Sequence, residues 1–203
     1  MPSILLETDR ATVKLLTQAD AIALSHILHT DHIKAEYAIA EWMDHEKEHG
    51  FSVYGIFLKK DHRLCGYCGC QFVEWHQKPE IQFLWDIHRE LPNDPNDDLD
   101  YETVFQLRNY FFKHFGFKRV FSFVSEKDPR NQNVAEEMDM ICEETYTENN
   151  TKWLVYQLKS NSPKFLASSG AQGHEPARTA VQTRRERFLN PAGRIKKPRL
   201  KPI

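Results

Sequence analysis

The fold of this chain is decided by residues 80–124, which read EIQFLWDIHRELPNDPNDDLDYETVFQLRNYFFKHFGFKRVFSFV. Polar and apolar residues alternate over 80–85, which is the period of a strand, and the prolines and Asx residues of 91–98 favour a turn. Apolar residues then recur at three- and four-residue steps until Gly116, a residue that readily ends a helix. Alternation returns over 118–124. The stretch therefore predicts a strand, a loop, a helix and a second strand.

The predicted helix carries an aromatic face. We expect its phenylalanines to be buried against a sheet, and these are Phe105, Phe111, Phe112 and Phe115. The loop before the helix is a natural anion site, because unpaired backbone amides point into it. Here, however, the loop is filled with aspartates: Asp94, Asp97, Asp98 and Asp100. Aspartates are also good helix caps, so a loop that only caps its helix is the alternative to a phosphate site.

Upstream and downstream of this unit the pattern is less dense but still periodic. It predicts a strand over 11–16, helices over 17–29 and 33–48, and a hairpin of strands 51–58 and 64–74. After the central unit it predicts a polar turn, a short helix over 134–140 and a closing strand over 153–158. The strands make a predominantly antiparallel sheet that ends in a parallel pair.

Composition divides the chain into a body and a tail. The 203 residues are 40% hydrophobic and 12% aromatic, which is typical of one globular domain. From residue 160 onward the apolar pattern stops. This part of the chain contains ten Lys or Arg residues and two Glu residues. The tail is therefore formally +8, which leaves −10 for the body because the whole chain has −2. We expect a domain over 1–159 and a basic, disordered tail over 160–203.

The tail suggests a partner. Residues 178–201 place cations beside isolated apolar residues, a pattern that fits nucleic acid or an acidic protein surface. A solvated tail with no partner is the alternative. The start of the chain lacks a signal-peptide pattern, and no apolar run approaches the ~20 residues of a membrane helix. These features predict a soluble, cytoplasmic protein.

The cysteines raise the question of a metal site. Cys65, Cys68 and Cys70 follow His62, but strand alternation places Cys65 on the opposite face from the other two. A zinc knuckle needs a turn and a second ligand pair, and only Cys142 follows. We therefore expect reduced, buried thiols and no metal.

Four segments are LLETDRATVKLLTQADA (5–21), LCGYCG (64–69), PEIQFLWDI (79–87) and RNYFFKHFGFKRVFSFV (108–124). In their order and spacing they resemble the RimJ/RimL branch of the GNAT N-acetyltransferase superfamily. The resemblance covers about residues 4–158. It implies a GNAT-like α/β fold, with a mostly antiparallel mixed sheet flanked by helices. It also implies acetyl-CoA or another acyl-CoA as donor, held between two splayed strands, and direct attack by an amine acceptor.

The resemblance also implies donor-binding positions, and several of them have changed. Ile87 and Asn131 match donor-contacting segments, while Asn96 and Asp98 stand where the family has glycines that approach the diphosphate. Each like charge near a diphosphate costs on the order of 1 kcal/mol or more. The family's tyrosine acid falls at Ala135, so the usual proton donor for the leaving thiolate is missing there.

A general base is needed because an amine must lose a proton to attack. Asp86 and His88 share one face at the end of the central strand, and Glu80 lies at its other end, so these three are the candidates. The alternative is that they are ordinary polar residues. Two functions remain open: an N-acyltransferase, or a catalytically inactive module of the same fold that binds or assembles with a partner.

Overall fold

A computed structural model describes residues 4–88, 99 and 101–161 of the chain. Eight strands form one sheet in the order β1-β2-β3-β4-β5-β6-β8-β7. Their bounds are Ile4–Glu7 (β1), Ala11–Lys14 (β2), Val53–Leu58 (β3), Leu64–Trp75 (β4), Lys78–Ile87 (β5), Arg119–Ser125 (β6), Ile141–Glu148 (β7) and Thr151–Lys159 (β8). Every neighbouring pair is antiparallel except β5 and β6. The predicted mixed, mostly antiparallel sheet is confirmed, but its parallel pair lies inside the sheet and not at its end.

Four α-helices within the described ranges flank the sheet. They are Ala21–Ile27 (α1, after a 3₁₀ turn at Gln18–Asp20), His32–His49 (α2), Gln106–Phe115 (α3, after a π-helical turn at Tyr101–Phe105) and Pro129–Glu137 (α4). The ends of α2 and α3 lie at Gly50 and Gly116, whose φ angles of 77° and 64° are left-handed. Glycine reaches that region without a Cβ clash, which is why both stops could be predicted. No helix in the described ranges is long and apolar enough to cross a membrane.

The two faces of the sheet carry separate cores. Leu64 and Tyr67 of β4 pack with α1 and α2, in a cluster that also holds Leu24 and Ile39. Cys68 and its strand neighbours on the other face pack with α3 and α4. Alternate strand residues point to opposite faces, so one strand serves both cores. β4 and β5 are therefore the centre of the molecule.

Three elements differ from expectation. Strands β1 and β7 were not predicted, and the α4 helix starts at Pro129 instead of residue 134. β7 lies at the sheet edge with most of its residues exposed, so its sequence lacks the apolar alternation by which strands are recognised. The start of α4 is polar, but Asp128 caps it by accepting a hydrogen bond from the Asn131 amide at 3.0 Å, and Pro129 occupies the first turn.

The aromatic face of the central helix is buried in part as predicted. Phe111 and Phe112 are buried, whereas Phe105 and Phe115 are only partly covered. The π-helical turn before α3 has a wider backbone repeat than an α-helix, which changes the direction of side chains at its end. Arg108 is buried instead, and its guanidinium donates to the Met138 carbonyl at 3.2 Å. That bond joins α3 to the C-terminal end of α4.

Candidate active site at the opening between β5 and β6

The two neighbours of β5 are held very differently. β4 pairs with it over ten residue pairs, from Gly66 opposite Ile87 to Trp75 opposite Lys78. On the other side, Gln82 opposite Phe121 is the one pair between β5 and β6 in the part of the chain that the structure describes. The ladder on that side therefore ends at the middle of β5, and the sheet opens beyond it.

The backbone of β5 faces this opening at every second residue. The His88 amide donates to the Cys65 carbonyl at 2.7 Å, so His88 directs its N–H toward β4. Because successive residues of a strand direct their amides and carbonyls to alternate sides, Phe83, Trp85 and Ile87 direct theirs toward β6. The structure agrees, since the Ser122 hydroxyl of β6 donates to the Phe83 carbonyl at 2.5 Å.

The first turn of α4 bridges the opening from the side of β6. The guanidinium of Arg130 donates to the Ile87 carbonyl at 2.8 Å. Next to it, the Trp85 indole donates to the Asn131 Oδ1 at 2.9 Å, and the Asn131 Nδ2 donates to Asp128 at 2.8 Å. Two of the four predicted donor-binding residues, Ile87 and Asn131, therefore lie at the opening, and both are engaged by protein groups. The other two, Asn96 and Asp98, lie outside the described residues.

Asp86 lies on the α1–α2 face beside the same opening. Its register partner on β4 is Tyr67, a buried residue whose ring is 5.5 Å from that of Trp42 in α2. Burial raises the pKa of the Tyr67 hydroxyl, and the charges of Asp86, Cys68 and Asp128 raise it further. Two carboxylates from different elements thus act on one hydroxyl, which stays protonated at neutral pH.

Tyr67 was missed by the sequence reasoning, although it lies inside the LCGYCG segment. Alternation along β4 gives its face, but only the register with β5 shows that it stands opposite Asp86. The signal that was available is weak: a tyrosine in a strand that otherwise holds cysteines and glycines.

The other two candidate bases lie in different surroundings. Glu80 is ion-paired with Arg119 of β6 and is six residues from Asp86, which in a strand is roughly 20 Å. The structure therefore does not bring Glu80 together with Asp86. His88 follows the last residue of β5 and its side chain is exposed.

Ala135, where the resemblance places the tyrosine acid, is completely buried on α4. It packs in the core between α3, α4 and the sheet, so its methyl group offers no proton. Position 135 therefore supplies no proton for a leaving group, whereas Tyr67 offers a buried hydroxyl opposite Asp86.

The start of the central helix is anchored to the β1–β2 turn. Glu102, in the π-helical turn, accepts hydrogen bonds from the Arg10 amide at 2.9 Å and the Arg10 Nε at 2.6 Å. Burial alone would raise the pKa of Glu102, but hydrogen bonds from Thr8 and Arg10 outweigh it and lower the pKa. The anchor joins the start of the central helix to the edge of the sheet.

The cysteine arrangement differs from the prediction. Cys65 packs in the same core as Cys68 and Cys70, because the register between β3 and β4 shifts at Ile56 and Phe57 and turns Cys65 to that face. All three cysteines are buried, and none of them forms a disulfide bond. Even so, the described residues contain no group of three or more His, Cys, Asp or Glu that could hold a metal ion.

The opening fits an extended donor arm in part. A chain that carries amides can pair with the edge of a strand, and Trp85 and Ile87 lie where the edge of β5 is not paired with β6. The Ile87 carbonyl, however, already accepts from Arg130, so a donor arm competes with the guanidinium for that acceptor.

Comparisons with known proteins agree with this architecture. The family described as "Acetyltransferase (GNAT) domain" matches residues 5–141. A GNAT-family protein of Bordetella pertussis superposes with a TM-score of 0.66 at 13% identity, covering 75% of this chain and 97% of the other. The ribosomal-protein-S5-alanine acetyltransferase of Vibrio fischeri gives 0.60 at 9% identity, with 77% and 96% covered.

A third solved structure, a ribosomal L7/L12 α-N-protein acetyltransferase in complex with coenzyme A, gives a TM-score of 0.59 at 11% identity and covers 77% of this chain and 98% of that one. No curated protein matches the chain. At these identities the superpositions establish the fold alone, whereas the family match spans more than half of the sequence. The chain therefore belongs to the GNAT acetyltransferase family, whose enzymes use acetyl-CoA.

Proposed function

We propose that this protein is an N-acyltransferase that moves an acyl group from an acyl-CoA to a primary amine. The observation that carries the proposal is the position of Asp86, opposite Tyr67 at the point where β5 has left β6. That position brings a carboxylate, a protonated hydroxyl and a strand edge not paired with β6 to one opening. Acyl-CoA, when bound, supplies the activated thioester.

The residues of the chain perform the remaining steps. An amine reaches the site as an ammonium ion, and the carboxylates of Asp86 and Asp128 favour a cation there. Asp86 then accepts the proton that the amine must lose before attack. Tyr67 remains a hydroxyl donor because its pKa is raised, so it is suited to orient a carboxylate or a bound oxygen. The Trp85–Ile87 edge holds the donor arm.

The acceptor class follows from the family resemblance and from the charge of the site. The RimJ/RimL branch acetylates protein N-termini and small molecules, and we propose that this chain does likewise. A site with two carboxylates supports a cationic acceptor. Asn96 and Asp98 at the degenerate diphosphate loop predict weak donor affinity.

The test is acyl transfer measured as thiol release from acetyl-CoA, with N-terminal peptides and polyamines as acceptors. Asp86→Asn should lower turnover by ~100-fold, the scale of general-base catalysis. Asp44→Asn is the matched control, because it makes the same change on an exposed α2 residue paired with Lys47. Equal turnover in the two variants would show that Asp86 is not the base.

Two further variants separate the other candidates. If His88→Gln lowers turnover more than Asp86→Asn, the imidazole is the base and Asp86 assists it. We expect the smallest effect from Glu80→Gln, since Glu80 is ion-paired with Arg119 at the far end of β5.

A catalytically inactive binding module is the second candidate, and two observations favour it. Ala135 supplies no acid, and Arg130 occupies the Ile87 carbonyl. Calorimetric titration with acetyl-CoA distinguishes the two functions, because an enzyme must bind its donor. If no heat of binding appears at millimolar donor, the acyltransferase proposal is wrong and the module remains.

For the module, we propose that the basic segment 178–201 carries the partner contact, because it supplies most of the excess positive charge. These residues lie outside the described part of the chain. Pull-downs with the full chain and with residues 1–159, with and without nuclease, test the proposal. Tail-dependent partners that survive nuclease identify an acidic protein surface, and partners lost with nuclease identify RNA or DNA. If both proteins recover the same partners, the tail is not the contact.

A further inference from the structure

We propose that Arg130 closes the opening between β5 and β6 and thereby sets the donor affinity of this protein. The inference rests on the proposed acyltransferase function. Its basis is the bond from the Arg130 guanidinium to the Ile87 carbonyl, 2.8 Å long, across strands that no longer pair. Arg130 thus lowers the affinity for the donor by occupying a carbonyl that the donor would contact.

The bond is strong enough to compete with a donor. A guanidinium is charged at every pH that a protein tolerates, and a charge-assisted hydrogen bond is roughly twice as strong as a neutral one. The amide of a donor arm would offer the Ile87 carbonyl only a neutral bond. The carbonyl oxygen has two lone pairs and the guanidinium takes one of them, so a donor arm competes with Arg130 at this acceptor.

The neighbours of Arg130 hold it in place. Asp128 caps α4 and Pro129 begins its first turn, which fixes the backbone on one side. On the other side, Asn131 accepts from the Trp85 indole at 2.9 Å and donates to Asp128 at 2.8 Å. Consequently the first turn of α4 is attached to β5 at Trp85 and Ile87, two successive residues of the strand edge that faces the opening.

A different arginine provides the matched comparison. Arg119 lies on β6 and also reaches across to β5, but it binds the Glu80 carboxylate at the opposite end of the strand. Arg119→Ala also removes one positive charge that reaches β5, and it leaves the Ile87 carbonyl untouched. If Arg130 acts through its charge alone, the two alanine variants should behave alike.

The first measurement needs no donor. Hydrogen exchange of the amides of residues 83–88 reports local opening of the strand edge. We expect Arg130→Ala to exchange on the order of tenfold faster than the wild type, the change implied by loss of one charge-assisted bond. In Arg119→Ala the exchange rates of these amides should match those of the wild type. Unchanged exchange in Arg130→Ala overturns the proposal, whatever the donor does.

The second measurement is calorimetric titration with coenzyme A. Arg130→Ala should bind on the order of tenfold more tightly than the wild type, because the Ile87 carbonyl is released. Weaker binding would show that Arg130 contacts the donor, and the proposal would fail while the proposed function stands. If none of the proteins binds coenzyme A but Arg130→Ala exchanges faster, closure is supported and the acyltransferase function is wrong.

A second variant provides the control for loss of folding. Arg130→Gln keeps a hydrogen-bonding side chain of lower reach and no charge, and its circular dichroism and melting temperature should match the wild type. If Arg130→Ala is unstable, the same exchange and binding measurements on Arg130→Gln decide the proposal by the same criteria.

Discussion

The two sides of β5 form a natural comparison within one strand. On the β4 side, ten residue pairs join two strands connected by a tight turn at His76 and Gln77. On the β6 side, one pair joins strands separated by the central helix and its loop. Antiparallel neighbours close locally, whereas a parallel neighbour arrives only after a long crossover. Pairing with β4 therefore sets the register of the site residues, and the incomplete pairing with β6 leaves the opening beside them.

Side chains compensate for the missing ladder on the open side. Three side-chain hydrogen bonds replace backbone bonds that parallel pairing would have made. They are those of Ser122, Arg130 and the Trp85–Asn131 pair. Backbone bonds do not depend on residue identity, but these contacts do. The open side should therefore be sensitive to polar substitutions, and the paired side to changes in backbone spacing and packing.

The largest expected effect is at Phe83, which supports both sides. Its ring is 99% buried between Trp85, at a centroid distance of 5.5 Å, and Phe111, at 6.4 Å. Phe83→Ala should destabilise the domain by about 3–5 kcal/mol through loss of buried surface and the remaining cavity. Chemical denaturation measures the change. A loss below ~1 kcal/mol would mean that the site collapses around the cavity.

Gly66 tests the paired side alone. A Cβ at this position would meet the Asp86 carbonyl at 2.4 Å and the Ile87 Cα at 3.0 Å, so the backbone of β5 must shift. Gly66→Ala should cost about 1–3 kcal/mol, the range for overpacking, and should displace Asp86. Gly55→Ala is the control, since its Cβ would meet only side-chain atoms of Leu16, Phe57 and Leu64. We expect a larger loss of unfolding free energy for Gly66→Ala, and the opposite order would contradict the backbone argument.

A smaller effect should appear with pH, on the edge of β4 that faces away from β5. The His45 Nε2 accepts from the Phe72 amide of β4 at 3.0 Å, and Nδ1 lies 2.7 Å from the Phe51 carbonyl, to which it donates in the neutral tautomer. Burial lowers the pKa of His45 to about 4, helped by His49 and opposed by the bond to Phe51. A proton on Nε2 would remove the acceptor of the Phe72 amide.

The direction of the change in stability with pH follows from the lowered pKa of His45. The unfolded state binds a proton near pH 6.5 and the folded state only near pH 4, so the stability from neutral His45 is complete above 6.5 and is lost as the pH falls to about 4. Denaturation at pH 7 and pH 5 should show a smaller pH-dependent loss for His45→Gln than for the wild type. Equal losses would assign the acid sensitivity to other groups. The Arg130 guanidinium on the open side stays charged throughout this pH range.

The smallest effect should come from Trp85→Phe, which removes one bond of the open side. The ring stays apolar, but Asn131 loses its indole donor. We expect a loss of about 1 kcal/mol in unfolding free energy, the typical value for one hydrogen bond. Faster exchange of the Asn131 amide region would localise the effect to the first turn of α4. A loss as large as that of Phe83→Ala would indicate a packing role instead.

The sequence predicted most elements with an apolar face because their periodicity records which side is buried. The central helix with its stop at Gly116, the β3–β4 hairpin and the order of the elements were all readable in this way. The edge strands β1 and β7 were not, because edge positions carry little burial pattern. The parallel pair was misplaced, because strand order depends on contacts between distant segments.

For the site, the chemical groups that the chain offers can be read from the sequence: Asp86 and His88 at the end of β5, Asn131 near the start of α4, and alanine in place of an acid at 135. Which of these groups meet depends on how the strands and helices pack. Tyr67 stands opposite Asp86 through strand register, Glu80 is paired with Arg119, and Arg130 reaches the Ile87 carbonyl because β5 and β6 part after one pair. Periodicity reports burial along one segment, whereas register and strand separation arise from the balance of contacts between segments far apart in the chain.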